Sequence, residues 1–280
     1  MAVPNLLTAW PSIQERVSTA SKILLGLDFD GTLSPIALRP DLAKLPRETK
    51  QALVKIAASS KAEVAIVSGR GIKDLAAKVE LAGLTYVGNH GLEIWRPTGN
   101  WKHPDAEEAR RIMNGIREEL EPKAAGIPGA QVEPKGSTLS VHYRRVKNPR
   151  KVQELKEAVD GVARPYIERG TVRRTSGELV LELRPSVPWG KGHALGFLLG
   201  RVEPGDGAEP SELIGAVFDG TLPVYIGDDE TDEDGFRAIE SIGIPVRVGR
   251  PGKPTAARYL LDSPGEVREL LERLAATLLS

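Results

Sequence analysis

Two aspartates one residue apart, Asp28 and Asp30, close the apolar run Ile23-Leu24-Leu25-Gly26-Leu27, and Gly31-Thr32-Leu33 follows at once. A short apolar run with Gly after it reads as a buried parallel strand entering a tight turn. Carboxylates at the carboxyl end of such a strand stand where open α/β sheets place their ligands. Side chains two apart on a regular strand share a face, but Gly31 implies that the chain already turns at Asp30. The turn would send the two carboxylates to opposite sides of one reacting group. That suits phosphoryl transfer through an aspartyl-phosphate, in which one carboxylate attacks phosphorus and the other moves a proton to the leaving oxygen and later from water. A cation must offset the repulsion between anionic nucleophile and phosphate. Taken alone, the same two acids also fit a helix N-cap.

Three further stretches supply what such a pair needs. Ser68-Gly69-Arg70 ends an apolar run and precedes a helix, offering a hydroxyl and backbone N–H groups to a phosphate oxygen, or simply a helix cap. Lys191, between Gly190 and Gly192, could balance the nucleophile's charge or stand solvated. The run Asp228-Asp229-Glu230-Thr231-Asp232-Glu233-Asp234 follows Val224-Tyr225-Ile226-Gly227, an unusual place for a merely solvated acidic run. Magnesium prefers oxygen ligands, and Asp28, Asp228 and the backbone carbonyl of Asp30 would suffice beside a phosphate. Asp229 and Asp232 would hold outer waters or neighbouring side chains. No spacing suggests zinc. Phe218-Asp219-Gly220-Thr221-Leu222 repeats residues 29–33, but Val217 stands where a nucleophile should be and Pro223 follows, so it reads as a turn before a strand.

The elements that must position these residues alternate along the chain. Residues 5–20 have loose helical periodicity. After the strand at 23–27, residues 34–46 read as a Pro-rich loop, and 48–60 as a helix with Leu53, Val54, Ile56 and Ala57 inward. A strand at 63–67, a helix at 72–79 and a strand at 85–88 follow, which implies a parallel sheet with right-handed crossovers. Residues 96–104 read as a linker. Then come a helix at 105–120, strands at 131–133 and 137–145, a helix at 149–162, and a hairpin of 172–176 with 178–184 about Ser176-Gly177. Residues 185–190 read as the return hinge. A helix at 191–199, a polar loop at 202–210, a strand at 224–227, a helix from 235, a strand at 244–248 and a helix at 264–279 resume the first pattern. The expected fold is α/β, a Rossmann-like parallel-sheet core of 1–100 and 186–280 interrupted by a smaller α/β domain at 101–185.

Composition bounds the partners. The 280 residues carry 38 acids and 38 bases, so no global charge draws the chain to nucleic acid or an anionic membrane. There is no Cys, hence no disulfide framework and no thiolate zinc. The N-terminus lacks the pattern of a secretory signal, and no apolar run reaches membrane-spanning length. A cytoplasmic monomer acting on a small molecule, without nucleic-acid or membrane partners, is expected.

The four stretches in this order resemble the haloacid-dehalogenase-like phosphatases. That resemblance implies Asp28 as nucleophile, Asp30 as general acid/base, Ser68 and Lys191 as phosphate ligands, Mg2+ held at Asp28, Asp30 and Asp228, and the inserted domain as a cap. Gly227 to Phe236, Asn89-His90-Gly91-Leu92-Glu93, Val141-His142-Tyr143-Arg144 and Leu181-Glu182-Leu183-Arg184-Pro185 narrow the resemblance to the trehalose-6-phosphate phosphatases. In that family acid and lysine side chains of the cap hold the sugar, here matching Glu133, Lys135 and Glu182. Thr32, Gly69, Arg70, His90, His142 and Arg144 are carried with them as substrate-binding. The resemblance implies a stand-alone magnesium-dependent phosphatase releasing trehalose from its 6-phosphate. The alternatives are another capped sugar phosphatase (for sucrose 6-phosphate or a mannosyl- or glucosyl-3-phosphoglycerate), a sugar phosphomutase, or a non-catalytic sugar-phosphate sensor.

Overall fold

The computed structural model describes residues 3–177, 179–200, 202–203, 220–249 and 254–279. The chain forms two compact units. One comprises Met1–Ser68, Ile72–Trp101 and Trp189–Ser280, the other Gly69–Gly71 and Lys102–Pro188.

In the first unit, strands β1 (Lys22–Leu27), β2 (Ala62–Val67), β3 (Thr85–Gly88), β4 (Glu93–Arg96), β5 (Gly99–Lys102), β10 (Thr221–Gly227), β11 (Ile244–Val248) and β12 (Tyr259–Leu261) form one sheet. Its order is β12-β11-β10-β1-β2-β3-β4-β5. All pairs from β12 to β3 are parallel, and β4 runs antiparallel to β3. Both faces of β1 are apolar, as a strand covered on two sides requires. Ile23, Leu25 and Leu27 join Ile13 and Val17 of α1 (Trp10–Thr19), Leu53 and Ile56 of α2 (Arg47–Ala57), Leu75 of α3 (Ile72–Val79) and Leu270, Leu271 and Leu274 of α8 (Pro264–Leu279). Leu24 faces the other way, with Leu195 of α6 (Lys191–Leu198) and Phe236 and Ile239 of α7 (Glu233–Ile239). The strand order reverses between β1 and β10, and the carboxyl ends at such a switch form the crevice where α/β proteins bind ligands.

In the second unit, β6 (Gln131–Pro134), β7 (Leu139–His142), β8 (Val172–Gly177) and β9 (Val180–Pro185) form an antiparallel sheet of order β6-β7-β9-β8. Leu139, Val141, Leu181 and Leu183 pack on Met113, Ile116 and Leu120 of α4 (Ala106–Ala125) and Leu155 and Val159 of α5 (Pro149–Glu168). Glu133, Ser140, Glu182 and Thr175 lie side by side across the four strands, so they share one face.

Several sequence expectations need correction. Residues 96–104 are no simple linker: β5 extends the sheet, because Trp101 packs on Trp189 and Phe197 with centroids 5.5 and 4.7 Å away. Both long helices of the second unit run past the expected 120 and 162. Their apolar stripes continue to Ala124 and to the partly buried Tyr166, and that packing carries each helix through a proline, Pro122 and Pro165. Val54 is 50% exposed while Thr49, Ala52, Leu53 and Ile56 are buried, since the 3.6-residue period turns it outward. Pro223 lies inside β10, which starts at Thr221. It sits opposite Leu24 on β1, below the point where β11 begins pairing at Val224. Phe218, Asp219, residue 178 of the hairpin turn and most of the 202–210 loop fall outside the described residues. No helix among the described residues is long and apolar enough to cross a membrane.

Candidate active site

The backbone at the end of β1 builds the first part of the site. The Asp28 N–H continues the ladder by donating to the Ile226 carbonyl at 2.9 Å. The chain then folds sharply: the N–H groups of Leu33 and Ser34 both donate to the Phe29 carbonyl, and Gly31 N–H donates to the Ser34 carbonyl at 2.8 Å. Gly31 has φ +83°, and a Cβ there would overlap the Asp228 carboxylate. Gly31→Ala should therefore cost roughly 1–3 kcal/mol of stability from backbone strain alone. It should also disable the site by displacing Asp228, which thermal unfolding and an activity assay would separate.

Asp228 follows β10, the strand beside β1. Thr32 Oγ1 lies 3.5 Å from Asp228 Oδ1, so this fully buried hydroxyl, expected at the substrate, is directed to the acidic loop. The loop folds around Asp232, which has no exposed surface. Asp232 Oδ2 accepts the N–H groups of Asp228 and Asp229, both at 3.1 Å, and Oδ1 accepts from Lys191 Nζ at 2.7 Å and Tyr225 OH at 2.6 Å. Asp229 caps the short turn that follows, accepting from Thr231 N–H and Oγ1 at 2.7 Å. Glu233 anchors the far side on Arg247 Nη1 at 2.8 Å and Thr255 Oγ1 at 2.7 Å.

Lys191 is the first residue of α6 and is only 3% exposed. Its ammonium spans Asp232 and Asp28, with Nζ 2.8 Å from Asp28 Oδ1. One cation thus sits among Asp28, Asp228 and Asp232, whose carboxylates offer oxygens within 4.8 Å of one another. Burial pushes the Asp28 carboxyl well up; Lys191 opposes this, and Asp232 and Asp228 add to it. Burial and the charges of Asp232 and Asp229 raise Asp228 to about 8. Asp232 is raised by burial against the pull of Lys191. For Asp229, Lys191 and the hydrogen bonds from Thr231 and Asp232 outweigh burial and hold it down to about 2. Burial disfavours the Lys191 charge, yet Asp232 and Asp28 keep it firmly protonated. So crowded an all-oxygen set calls for a second, hard cation. Asp28 and Asp228 fit that role; both oxygens of Asp232 are already taken by four donors.

Ser68 follows β2, 2% exposed, with its N–H on the Val87 carbonyl and its own carbonyl accepting from His90 N–H at 3.0 Å. Asn89 and His90, just after β3, are both left-handed, at φ +49° and +55°. Backbone strain of this kind gathers at functional sites. Asp28, Ser68, His90 and Asp228 thus all stand at carboxyl ends of adjacent parallel strands. Asp30 lies in the turn after β1, bridged to Ser34.

The second unit holds its own polar cluster. His142 Nε2 and Glu133 Oε2 are 2.7 Å apart. Glu182, 8% exposed, faces Lys135 Nζ at 3.4 Å and Ser140 Oγ at 3.5 Å through Oε1, and accepts from Arg184 Nε at 2.8 Å through Oε2. Gly69 and Arg70 belong to this unit, as does Arg144, which lies in the turn beyond β7. Burial would raise the Glu133 carboxyl, but His142 and Lys135 outweigh it and hold it below its ordinary value. A depressed carboxylate stabilises the fold above its unfolded pKa, and that support is lost as pH falls through the folded value. Wild type should therefore lose more stability than Glu133→Gln as pH drops from about 5 to 3. Equal losses in acid unfolding curves would contradict this.

Sequence reasoning missed Tyr225, Ser140 and Arg184 as polar partners. Tyr225 lies within an apolar strand, where its ring is indistinguishable from core, and nothing in the motif 181–185 marks Arg184 as the partner of Glu182.

The fold and this carboxylate–lysine crevice define a haloacid-dehalogenase-like protein. The C-terminal domain of C. albicans trehalose-6-phosphate phosphatase superposes with TM-score 0.80 at 23% identity, covering 98% of this chain and 99% of that one. Trehalose-phosphate phosphatase B of Arabidopsis thaliana is 38% identical over 264 residues, 90% of this chain and 66% of its own length. Trehalose-phosphate phosphatase of Mycobacterium bovis is 38% identical over 255 residues, 90% of this chain and 61% of its own length. The chain thus spans somewhat under two thirds of the length of these curated relatives. The description of the Trehalose-phosphatase family matches residues 26–265. The chain belongs to that family.

Proposed function

We propose that this protein is a magnesium-dependent phosphatase that hydrolyses trehalose 6-phosphate to trehalose and phosphate. The observation that carries the reading is the Lys191 ammonium shared between Asp28 and Asp232, with Asp228 alongside, at the carboxyl edge of a parallel sheet. An Asp28 oxygen forms a bond to phosphorus as the bond from phosphorus to the sugar oxygen breaks, and Asp30 gives that oxygen a proton. Asp30 then takes a proton from water as the water oxygen attacks phosphorus, the bond to Asp28 breaks, and both carboxylates return to their starting states. Lys191 and Ser68 orient the phosphate oxygens. Mg2+ held by Asp28, Asp228 and the Asp30 carbonyl would supply charge neutralisation for nucleophile and phosphate.

The second unit serves as the cap that reads the sugar, through Glu133, Lys135 and Glu182, and the other polar residues of its sheet face support them. Carboxylates and ammonium groups are good partners for sugar hydroxyls. Lys135→Met and Glu182→Gln should each raise KM roughly tenfold or more while leaving hydrolysis of a small phosphate monoester within a few fold. Equal losses on both substrates would sink the cap assignment.

The test of the whole reading is phosphate release from trehalose 6-phosphate, sucrose 6-phosphate, glucose 6-phosphate and mannosyl-3-phosphoglycerate, with magnesium and with EDTA. Strong preference for the first, lost with EDTA and restored by magnesium, is expected. Preference for another sugar would keep the core chemistry and discard the sugar readers. Magnesium-dependent binding without turnover would favour a sensor.

A further inference from the structure

Among the described residues Tyr225 is the largest side chain with no exposed surface, and its hydroxyl reaches the buried carboxylate of Asp232. Its ring occupies a slot from which side chains are excluded on two sides. A Cβ on Gly26 of β1 would come within 2.8 Å of Tyr225 Cδ2 and 2.9 Å of Leu195 Cδ2, and a Cβ on Gly235 of α7 would overlap the ring itself. Phe236 packs against it with centroids 5.7 Å apart. A strand interior and a helix interior are both costly places for Gly. Two glycines converging on one ring are the signature of a ring that must sit at one depth.

That depth puts the Tyr225 hydroxyl 2.6 Å from Asp232 Oδ1, the same oxygen that Lys191 approaches at 2.7 Å. Lys191 reaches 2.8 Å from Asp28 at its other side. We infer that Tyr225 is a positioning residue for Lys191, acting through Asp232, and that Gly26 and Gly235 are required to set the depth of its ring. The physical reason is competition for one oxygen. A hydroxyl donating to Oδ1 takes up part of the carboxylate's hydrogen-bonding capacity, so the ammonium stays shared with Asp28. Without that donor, the buried Oδ1 has only the ammonium to turn to, while Oδ2 keeps its two backbone N–H donors, and Lys191 moves towards Asp232 and away from the nucleophile. Tyr225 is not itself among the groups placed at the substrate, so its effect reaches the phosphate only through Lys191.

This inference rests on the phosphatase reading for its kinetic consequence but not for its geometry, and the experiment uses both. Tyr225→Phe keeps the ring and removes only the hydroxyl. In the full chain with magnesium and trehalose 6-phosphate, kcat should fall about tenfold with KM within about twofold of wild type. Thermal unfolding should shift little. In an Asp232→Asn background the same change should have almost no further effect, because the transmitting carboxylate is gone. In parallel, NMR of protein labelled with 15N at lysine should show the Lys191 ammonium resonance shifted in Tyr225→Phe. In wild type, a slowly exchanging Tyr225 hydroxyl proton should lie close in space to that ammonium.

An unchanged kcat overturns the inference, as does an equal loss in the Asp232→Asn background. An unmoved Lys191 resonance does the same. If Tyr225→Phe does not fold, the wild-type spectrum decides: a Tyr225 hydroxyl in fast exchange, remote from the ammonium, overturns it. If wild type releases no phosphate from any monoester, the phosphatase reading falls, and the Lys191 resonance alone decides the positioning role.

Discussion

Asp28→Asn is expected to lower kcat by roughly ten-thousandfold or more, the scale seen when a covalent nucleophile or its essential partner is removed. The amide can still accept from Lys191 through Oδ1, so the geometry around it is retained. Stability should not suffer. Burial pushes the Asp28 carboxyl well above its unfolded value, with Lys191 the main opposing influence. An acid raised in this way stabilises the fold only while protonated, and that contribution is lost as pH rises through the folded value. The ionised carboxylate is a burden that a neutral amide never carries, so Tm should equal or exceed that of wild type. Substantial turnover by a clean Asp28→Asn preparation would remove Asp28 from the nucleophile's role. A large fall in Tm would contradict the electrostatic account.

Lys191→Met should have the opposite signature, losing both activity and stability. The methionine fills a similar volume, but it leaves Asp28 and Asp232 buried beside Asp228 without their shared cation. Removing one partner of a buried ion pair costs about 3–5 kcal/mol. In Lys191→Met/Asp232→Asn one uncompensated charge is gone, so the double variant should be more stable than Lys191→Met alone, although it remains inactive. Such a non-additive pair is the mark of direct coupling. Additive losses in chemical denaturation would mean that the ammonium does not hold the two carboxylates together. Magnesium should narrow the stability difference between Lys191→Met and wild type by supplying the missing positive charge.

The parallel core was largely legible because its signal is local. Residues 23–27, 63–67, 85–88, 224–227 and 244–248 are apolar runs of strand length that end in or lead straight into Gly, Ser or an acid, and two-sided burial imposes their apolar character. The same runs located Asp28, Ser68 and Asp228, since residues just past a parallel strand stand at its carboxyl edge whatever the neighbouring strand is. Where burial is one-sided or the element short, the signal weakens. β5, Gly-Asn-Trp-Lys, is a strand only because Trp101 finds Trp189 and Phe197, residues some ninety positions away. β12 has three residues and no period to detect. Pro122 and Pro165 end helices by local rule, and here tertiary packing overrides it.

Residue types and spacing by themselves determined the α/β class, the presence of an aspartate pair suited to phosphoryl transfer, and the all-oxygen character of the acidic cluster. They could not say which acid of the run 228–234 faces which partner, because a solvated acid and a buried one look alike in sequence. The tertiary structure decided that Asp232 is the anchor, its four donors drawn from two backbone amides, Lys191 and Tyr225. It decided that Thr32 points to Asp228 and that Arg184 holds Glu182. It also decided that Gly26 and Gly235, two hundred residues apart in the chain, clear one slot for one ring. Hydrogen bonds and steric exclusion act over a few ångströms, and only the folded chain brings such distant residues within that range.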